Sequence, residues 1–283
     1  MSLTWRGGSD LRLPPMTLRG ALRAAGRGVP VVALIGLGLL ALLAARVMER
    51  PLFGPRRPWT PWITVVVCRG ALRFLGLRLR RTGRPMRGPG AVVANHASWL
   101  DILVLNALGP FVFVAKSEVR GWGALGWLAR ATGTVFVRRE ARAEAGAQAE
   151  ALAQVMRSGG RVAFFPEGTS TDNRRVLPFR APLFAALGAP GLAAGVAVQP
   201  VTLRYDAPLL AWYGGTELLP HLRRVLSDGG IDVHVVFGAA RKLAAGDNRK
   251  VVTQESGRLV RRLVAALNAG RSPAEVLAES AGP

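Results

Sequence analysis

From residue 91 onward the chain alternates short apolar runs with helix-forming stretches, and this alternation constrains the fold more than any other feature. Strand-like runs fall at 91–94, 111–115, 134–137, 162–165, 197–203 and 233–237. Helical signals fall at 99–108, 124–132, 141–157, 179–187 and 248–267. Within the third, "EARAEAGAQAEALAQVMRSGG" is rich in alanine and is closed by glycine. Strands and helices in turn predict an α/β fold, a mixed, largely parallel sheet flanked by helices. A chain of 283 residues fits one such domain plus an appendage better than two equal domains. No internal repeat is present.

The appendage precedes the alternation. Residues 29–45 read "VPVVALIGLGLLALLAA", without a charge. Seventeen residues is the short limit for crossing a bilayer, where about 20 are usual. Arg19, Arg23 and Arg27 precede the run and Arg46 and Arg50 follow it, so charge sets no orientation. The long preceding segment and the lack of an A-x-A site argue against a cleaved signal peptide. A second segment, 59–79, interrupts apolar residues with Arg69, Arg73 and Arg78. It reads as an interfacial amphipathic helix with Trp59 and Trp62 at headgroup level, the alternative being a core helix. The two segments together could also form a re-entrant hairpin. "RRTGRPMRGPG", 80–90, is a breaker cluster. The expected division is a basic segment at 1–28, a membrane-anchoring helical region at 29–80, the α/β domain at 81–269 and a flexible tail at 270–283.

Lys and Arg outnumber Asp and Glu 38 to 17, a net charge of +21, with lysine only at Lys116, Lys242 and Lys250. Such a surface suits lipid headgroups, phosphorylated substrates or nucleic acid, although a GC-rich genome is the default explanation of an arginine bias. No RNP-like, helix-turn-helix or zinc-ligand pattern is found, and the apolar run argues against nucleic acid. Cys68 is the single cysteine, which rules out an internal disulfide, and "WITVVVC" makes it packing. His221 and His234 make no metal spacing with Cys68, so no metal site is expected, and His221 reads as a surface or interface residue.

The third histidine is different. "VVANHASWLDILVL" places His96 between an apolar strand and a helix, with Asp101 five residues on. Ser98 and Asp101 form an S-x-x-D capping pattern, which by itself explains both residues and leaves His96 in a loop. A histidine just before a helix and a carboxylate in its first turn can also face each other. The carboxylate would then fix the imidazole tautomer and stabilise the imidazolium. Such a pair is a general base for a hydroxyl that the substrate must bring. Three further segments bear on this. "GTVFVRRE" ends a strand at Arg138 and Arg139, which alternation sends to opposite faces. "VAFFPEGTSTDN" runs a strand into a turn at Pro166–Thr169 whose N–H groups could meet an anion. "VAVQPVTLRY" carries Pro200, which suggests an edge or a bend.

In this order, "NHASWLD", "GTVFVRRE", "FPEGTS" and "VQPVTL" resemble the four blocks of the glycerolipid acyltransferases, the lysophosphatidic acid acyltransferase family. The resemblance is close over residues 91–205. It implies transfer of a fatty acyl group from a coenzyme A or acyl carrier protein thioester to a lysolipid hydroxyl, without a metal or redox cofactor. It also implies an enzyme of the bacterial inner membrane, its α/β domain facing the cytosol. By position, His96 matches the family's base and Asp101 its partner. Arg139 matches the arginine linked to acceptor binding. Glu167, Gly168 and Thr169 match the third block and Pro200 the fourth. Glu167, as a carboxylate, suits a glycerol hydroxyl or an arginine better than a phosphate.

Two departures bear on the acceptor. Where many members carry a lysine and a glycine, this chain has "LPFRAPLF", with Arg180 as the cation. "LLAWYGGTELLPHLRRVL" resembles a branch that includes lyso-ornithine lipid acyltransferases. The expected acceptor is 1-acyl-sn-glycerol-3-phosphate, giving phosphatidic acid, because the four blocks speak for the whole family; the looser tail resemblance makes lyso-ornithine lipid the alternative. The ammonium of the latter would need an acidic partner, for which Asp172 and Glu217 are the candidates. A non-catalytic lipid-binding homologue is the alternative from another class.

Overall fold

A computed structural model describes residues 5, 15–54, 56–138, 145–192, 196–228, 230–244 and 246–281. Among them the strands are β1 (Leu77–Thr82), β2 (Gly90–Ala94), β3 (Val112–Lys116), β4 (Val135–Val137), β5 (Arg161–Phe164), β6 (Ala197–Tyr205), β7 (Ile231–Phe237) and β8 (Arg241–Lys242). The helices are α1 (Leu18–Phe53), α2 (Thr60–Leu75), α3 (Leu100–Leu108), α4 (Gly123–Ala131), α5 (Ala145–Arg157), α6 (Leu218–Ser227), α7 (Arg249–Asn268) and α8 (Pro273–Ala281). The sheet order is β1-β7-β6-β2-β5-β3-β4, with β8 beside β6. Every pairing is parallel except β6 with β7 and β6 with β8. The expected mixed, largely parallel sheet is therefore present.

Period-two alternation explains the layers. On β2, Val92 and Ala94 join the core beneath α2 and α3, with Leu72, Leu100 and Val104. Ala91 and Val93 join the opposite core, with Leu152 and Met156 of α5. A strand covered on both faces must be apolar throughout, and all five residues of β2 are buried.

The region 59–79 departs from the expectation of an interfacial helix. Cys68, Leu72 and Leu75 of α2 belong to the main core, and burial pushes the Cys68 thiol up to about 12. Residues 77–82, "LRLRRT", are an edge strand. Leu77 points inward, while Arg78 and Arg80 point out to Asp232 at 2.5 and 2.9 Å. Outward arginines protect such an edge from pairing with another chain. α1 then lies on α2. A Cβ at Gly38 would come within 2.2 Å of Val67, and one at Gly70 within 2.6 Å of Leu34, so two glycines let the helices touch. α1 extends well beyond the apolar run, and its outward face, with Val32, Leu37, Leu40 and Val47, is exposed.

Other differences have local causes. The helix expected at 179–187 is a 3₁₀ segment, Pro182–Gly188, whose buried Phe184 and Leu187 are three residues apart, the 3₁₀ period. The tail expected to be flexible forms α8, because Val276 packs on Val236, Leu263 and Leu267. Pro200 is neither at an edge nor in a bend of the sheet, but buried in β6 opposite Val93. It is tolerated because the other side of β6 changes partner there, from β8 at Ala197 and Val198 to β7 from Val201 onward. The missing N–H falls in the gap, while the Pro200 carbonyl accepts from Gly238 N–H at 2.9 Å.

Candidate active site

β2, β5 and β6 run side by side with their carboxyl ends together, the edge where open α/β sheets hold ligands. The chain leaves β2 at Asn95-His96, β5 at Phe165-Pro166-Glu167 and β6 at Tyr205. The first, third and fourth motifs therefore converge.

His96 Nδ1 lies 2.7 Å from Asp101 Oδ2, and its ring stacks on Phe165 at 4.1 Å and 11°. Asp101 is fully buried and accepts four hydrogen bonds. Oδ2 takes His96 Nδ1, Ala97 N–H at 2.8 Å and Ser98 N–H at 3.0 Å, and Oδ1 takes the Tyr205 hydroxyl at 2.5 Å. The capping pattern is thus half used: Asp101 caps the turn, whereas Ser98 Oγ makes no hydrogen bond. An acceptor at Nδ1 assigns the proton there and leaves Nε2 with its lone pair. Among the described residues none bonds Nε2, and the side chain is 19% exposed, so this atom can meet a substrate. Burial first, then the Asp101 charge, raise the Tyr205 phenol well above its usual range, so it remains a donor.

The third motif holds His96 by its backbone. Glu167 Oε1 accepts His96 N–H at 2.7 Å and Oε2 accepts Leu177 N–H at 2.6 Å. Thr171 N–H donates to the His96 carbonyl at 2.9 Å. This corrects the expectation for Glu167. It is buried and both oxygens accept backbone N–H groups, so it holds the His96 backbone and does not face outward to a glycerol hydroxyl. Gly168 turns the chain at φ 80°, and its N–H donates to the Phe165 carbonyl instead of facing an anion. Burial raises the Glu167 carboxyl to about 8, against the two N–H groups, which lower it.

That shift has a stability consequence. The folded value lies above the unfolded one, so the folded state holds the extra proton between about pH 4.5 and 8. The contribution is complete below the unfolded value and is lost as pH rises through the folded one. The denaturation midpoint is therefore expected to fall between about pH 5 and about pH 9. Glu167→Gln should flatten that slope; an equally steep fall in the variant would assign it elsewhere.

The remaining candidates are placed as follows. Arg139 lies outside the described residues. Arg180 is exposed, and its backbone N–H donates to the Pro166 carbonyl at 3.0 Å, which fixes its backbone beside the third motif. Thr169 Oγ1 accepts Trp5 N–H at 2.8 Å. Pro200 is buried in the sheet and offers no surface to a substrate. Asp172 is taken by Arg174 and Arg175 N–H and the Arg175 guanidinium, so it is not a free partner for an ammonium. His221 is fully buried rather than superficial. Trp99 Nε1–H donates to its Nδ1 at 3.0 Å, Nε2 meets the Ala211 carbonyl at 3.1 Å, and burial lowers its pKa to about 4. Trp212 N–H donates to the Ala97 carbonyl at 2.7 Å, so the segment after β6 packs directly on the His96 loop. Tyr205, Asn95, Asn173 and Thr171 were not singled out as site residues, because only contacts between distant segments give them their place.

Comparison with known proteins accords with this geometry. A model of the Acyltransferase family matches residues 78–204. The lyso-ornithine lipid O-acyltransferase of Rhodobacter capsulatus is 49% identical, over 79% of this chain and 83% of its own. The 1-acyl-sn-glycerol-3-phosphate acyltransferase of Neisseria gonorrhoeae is 31% identical, over 71% of this chain and 80% of its own. The crystal structure of the 1-acyl-sn-glycerophosphate acyltransferase PlsC from Thermotoga maritima superposes with a TM-score of 0.56 at 20% identity, covering 86% of this chain and 98% of that one.

Proposed function

The chain belongs to the acyltransferase family, as an O-acyltransferase acting on lysolipids, and from that premise we propose that it moves an acyl group from acyl-CoA or acyl carrier protein to the hydroxyl of lyso-ornithine lipid. The observation that carries the chemistry is the His96–Asp101 pair, a buried carboxylate on Nδ1 with Nε2 left open. His96 Nε2 takes the acceptor hydroxyl proton as that oxygen attacks the thioester carbonyl. The tetrahedral intermediate expels the thiolate, which takes the proton back from His96. Asp101 stabilises the imidazolium between the two transfers. The reaction needs no acyl-enzyme, metal or redox group. Arg180 is the cation for the acceptor's carboxylate.

Lyso-ornithine lipid is preferred because the higher-identity relative bears that name and because the segment after β6 packs on the catalytic loop. The four motifs alone lean the other way, but both groups of relatives share the family. With purified protein and each thioester donor, lyso-ornithine lipid is expected to turn over faster than 1-acyl-sn-glycerol-3-phosphate. Turnover of the latter alone would replace this reading.

α1 is an apolar helix suited to membrane association. Both its ends rest on the α/β domain. Arg23 and Arg27 donate to the carbonyls of Ser227 and Leu226, and Arg57, just after α1, donates to Ala131 of α4. These points are on the order of 40 Å apart along a helix rising about 1.5 Å per residue, more than the roughly 30 Å of hydrocarbon. These contacts support an anchor that lies along the membrane surface, outer face down, rather than crossing it, and we propose the cytosolic leaflet of the inner membrane as its place. Removing residues 1–80 would also remove Cys68, Leu72 and Leu75 from the core. A cleaner test is Leu40→Glu with Val47→Glu, at 65% and 75% exposed positions. Each charge costs on the order of 2–3 kcal/mol in hydrocarbon. The variant should leave the membrane pellet for the supernatant, and full retention would refute insertion of this face.

A further inference from the structure

Asp101 is held unevenly. Three donors converge on Oδ2, and one, the Tyr205 hydroxyl, meets Oδ1. The torsion that turns a carboxylate is soft and roughly two-fold, so contacts at one oxygen leave the plane free to swing. The phenol is the second point of attachment. Among the described residues nothing else bonds its oxygen, and a phenylalanine would fill the same buried space.

The fold also takes pains over where that phenol sits. The parallel pairing of β2 with β6 ends at Ala94 and Val201. Beyond it, two asparagine side chains continue the ladder. Asn95 Nδ2–H donates to the Leu203 carbonyl and Asn95 Oδ1 accepts Leu203 N–H, both at 2.8 Å. Asn173 Nδ2–H donates to the Tyr205 carbonyl at 2.7 Å and Asn173 Oδ1 accepts Tyr205 N–H at 3.0 Å. Asn173 does this from a left-handed backbone, φ 65°, a conformation that carries a cost for a residue other than glycine. Both amides are buried, and each uses its nitrogen and its oxygen on the β6 backbone. Their common effect is to fix the backbone of the residue whose hydroxyl reaches Asp101.

We propose that Tyr205 is a positioning residue of the acyl transfer, locking the Asp101 carboxylate plane so that Oδ2 faces His96 Nδ1, with Asn95 and Asn173 holding the strand end that delivers it. The inference rests on the reading of His96 as base. The chain of action runs from the two amides to the β6 backbone, from the phenol to Asp101, and from Asp101 to the imidazole. Tyr205 is itself buried and acts through Asp101.

The test is Tyr205→Phe in the full-length protein, with Asn173→Ala as a second variant acting one step earlier. Steady-state rates with a lysolipid acceptor should show kcat lowered roughly 10- to 100-fold in Tyr205→Phe, the loss of one hydrogen bond to a charged group, with KM for the thioester unchanged. The imidazole Nδ1 proton resonance of His96, read by NMR without substrate, should move upfield and broaden. Asn173→Ala should change both readouts in the same direction by less. An unchanged kcat, or a lowered kcat with the Nδ1 resonance unmoved, would overturn the proposal. Should His96→Ala itself retain full activity, the base assignment would fail, and that result is distinct from wild-type behaviour of Tyr205→Phe beside an inactive His96→Ala.

Discussion

His96→Ala is expected to lower kcat by about 10²–10⁴-fold, the usual worth of a positioned general base. The folded protein should survive the change. The ring is partly exposed and leans on Phe165, while the backbone bonds to Glu167 and Thr171 do not depend on the side chain. Without the imidazole, the carboxylates beside it are poor substitutes as a base. Glu167 is turned inward onto two N–H groups, and Asp101 is fully buried and still holds three donors once the ring is gone. Rate and far-UV circular dichroism measured on the same preparation check this. Wild-type turnover in a well-folded variant would reduce His96 to a loop residue and Asp101 to a helix cap.

The Asp101 variants should separate charge from shape. Asp101→Ala strands the N–H groups of Ala97 and Ser98 and the Tyr205 hydroxyl in a dry site. At about 1–3 kcal/mol for each of these three unsatisfied donors, roughly 3–9 kcal/mol of stability is lost together with activity. Asp101→Asn has one comfortable orientation. Its oxygen must replace Oδ2, because two backbone N–H groups there cannot turn away, and its NH₂ then donates to Tyr205 Oη, whose oxygen can accept. The geometry and the His96 tautomer survive, but the negative charge opposite the imidazolium is gone. A fall in kcat of about 10²-fold or more is expected, with a denaturation midpoint lowered less than in Asp101→Ala, because only the Tyr205 O–H is left without an acceptor. If Asp101→Asn works at the wild-type rate, the carboxylate is a structural cap and its charge has no part in catalysis.

Legibility in the sequence followed the range of the contacts. Six of the eight described strands were readable, because a half-buried or fully buried strand writes its environment into a short apolar run. β1 was not, since its arginines made "LRLRRT" look like the end of a surface helix. α6 was passed over for a different reason. Its sequence, "LLPHLRRVLS", is polar on average, and its buried His221 and Val225 mark a face that only its neighbours define. The same division runs through the site. His96 and Asp101 are five residues apart across a helix start, so local geometry was enough to bring them together. Tyr205 is 104 residues from Asp101, and nothing in its own stretch announces a carboxylate.

By itself, then, the sequence determined the class of the fold, the presence of a long apolar N-terminal helix and the pairing of a histidine with a carboxylate at the mouth of a helix. These depend on periodicity and on short separations, where one stretch of chain carries the whole signal. Tertiary structure alone decided that Glu167 grips the His96 backbone, that Tyr205 completes the Asp101 shell, that α2 is core and that α1 lies along the domain. Each follows from the order of strands in the sheet, which sets the carboxyl ends of β2, β5 and β6 side by side. Strand order is a property of the packed whole: the free energy that selects it is spread over burial on both faces of the sheet, and no single segment encodes its neighbour.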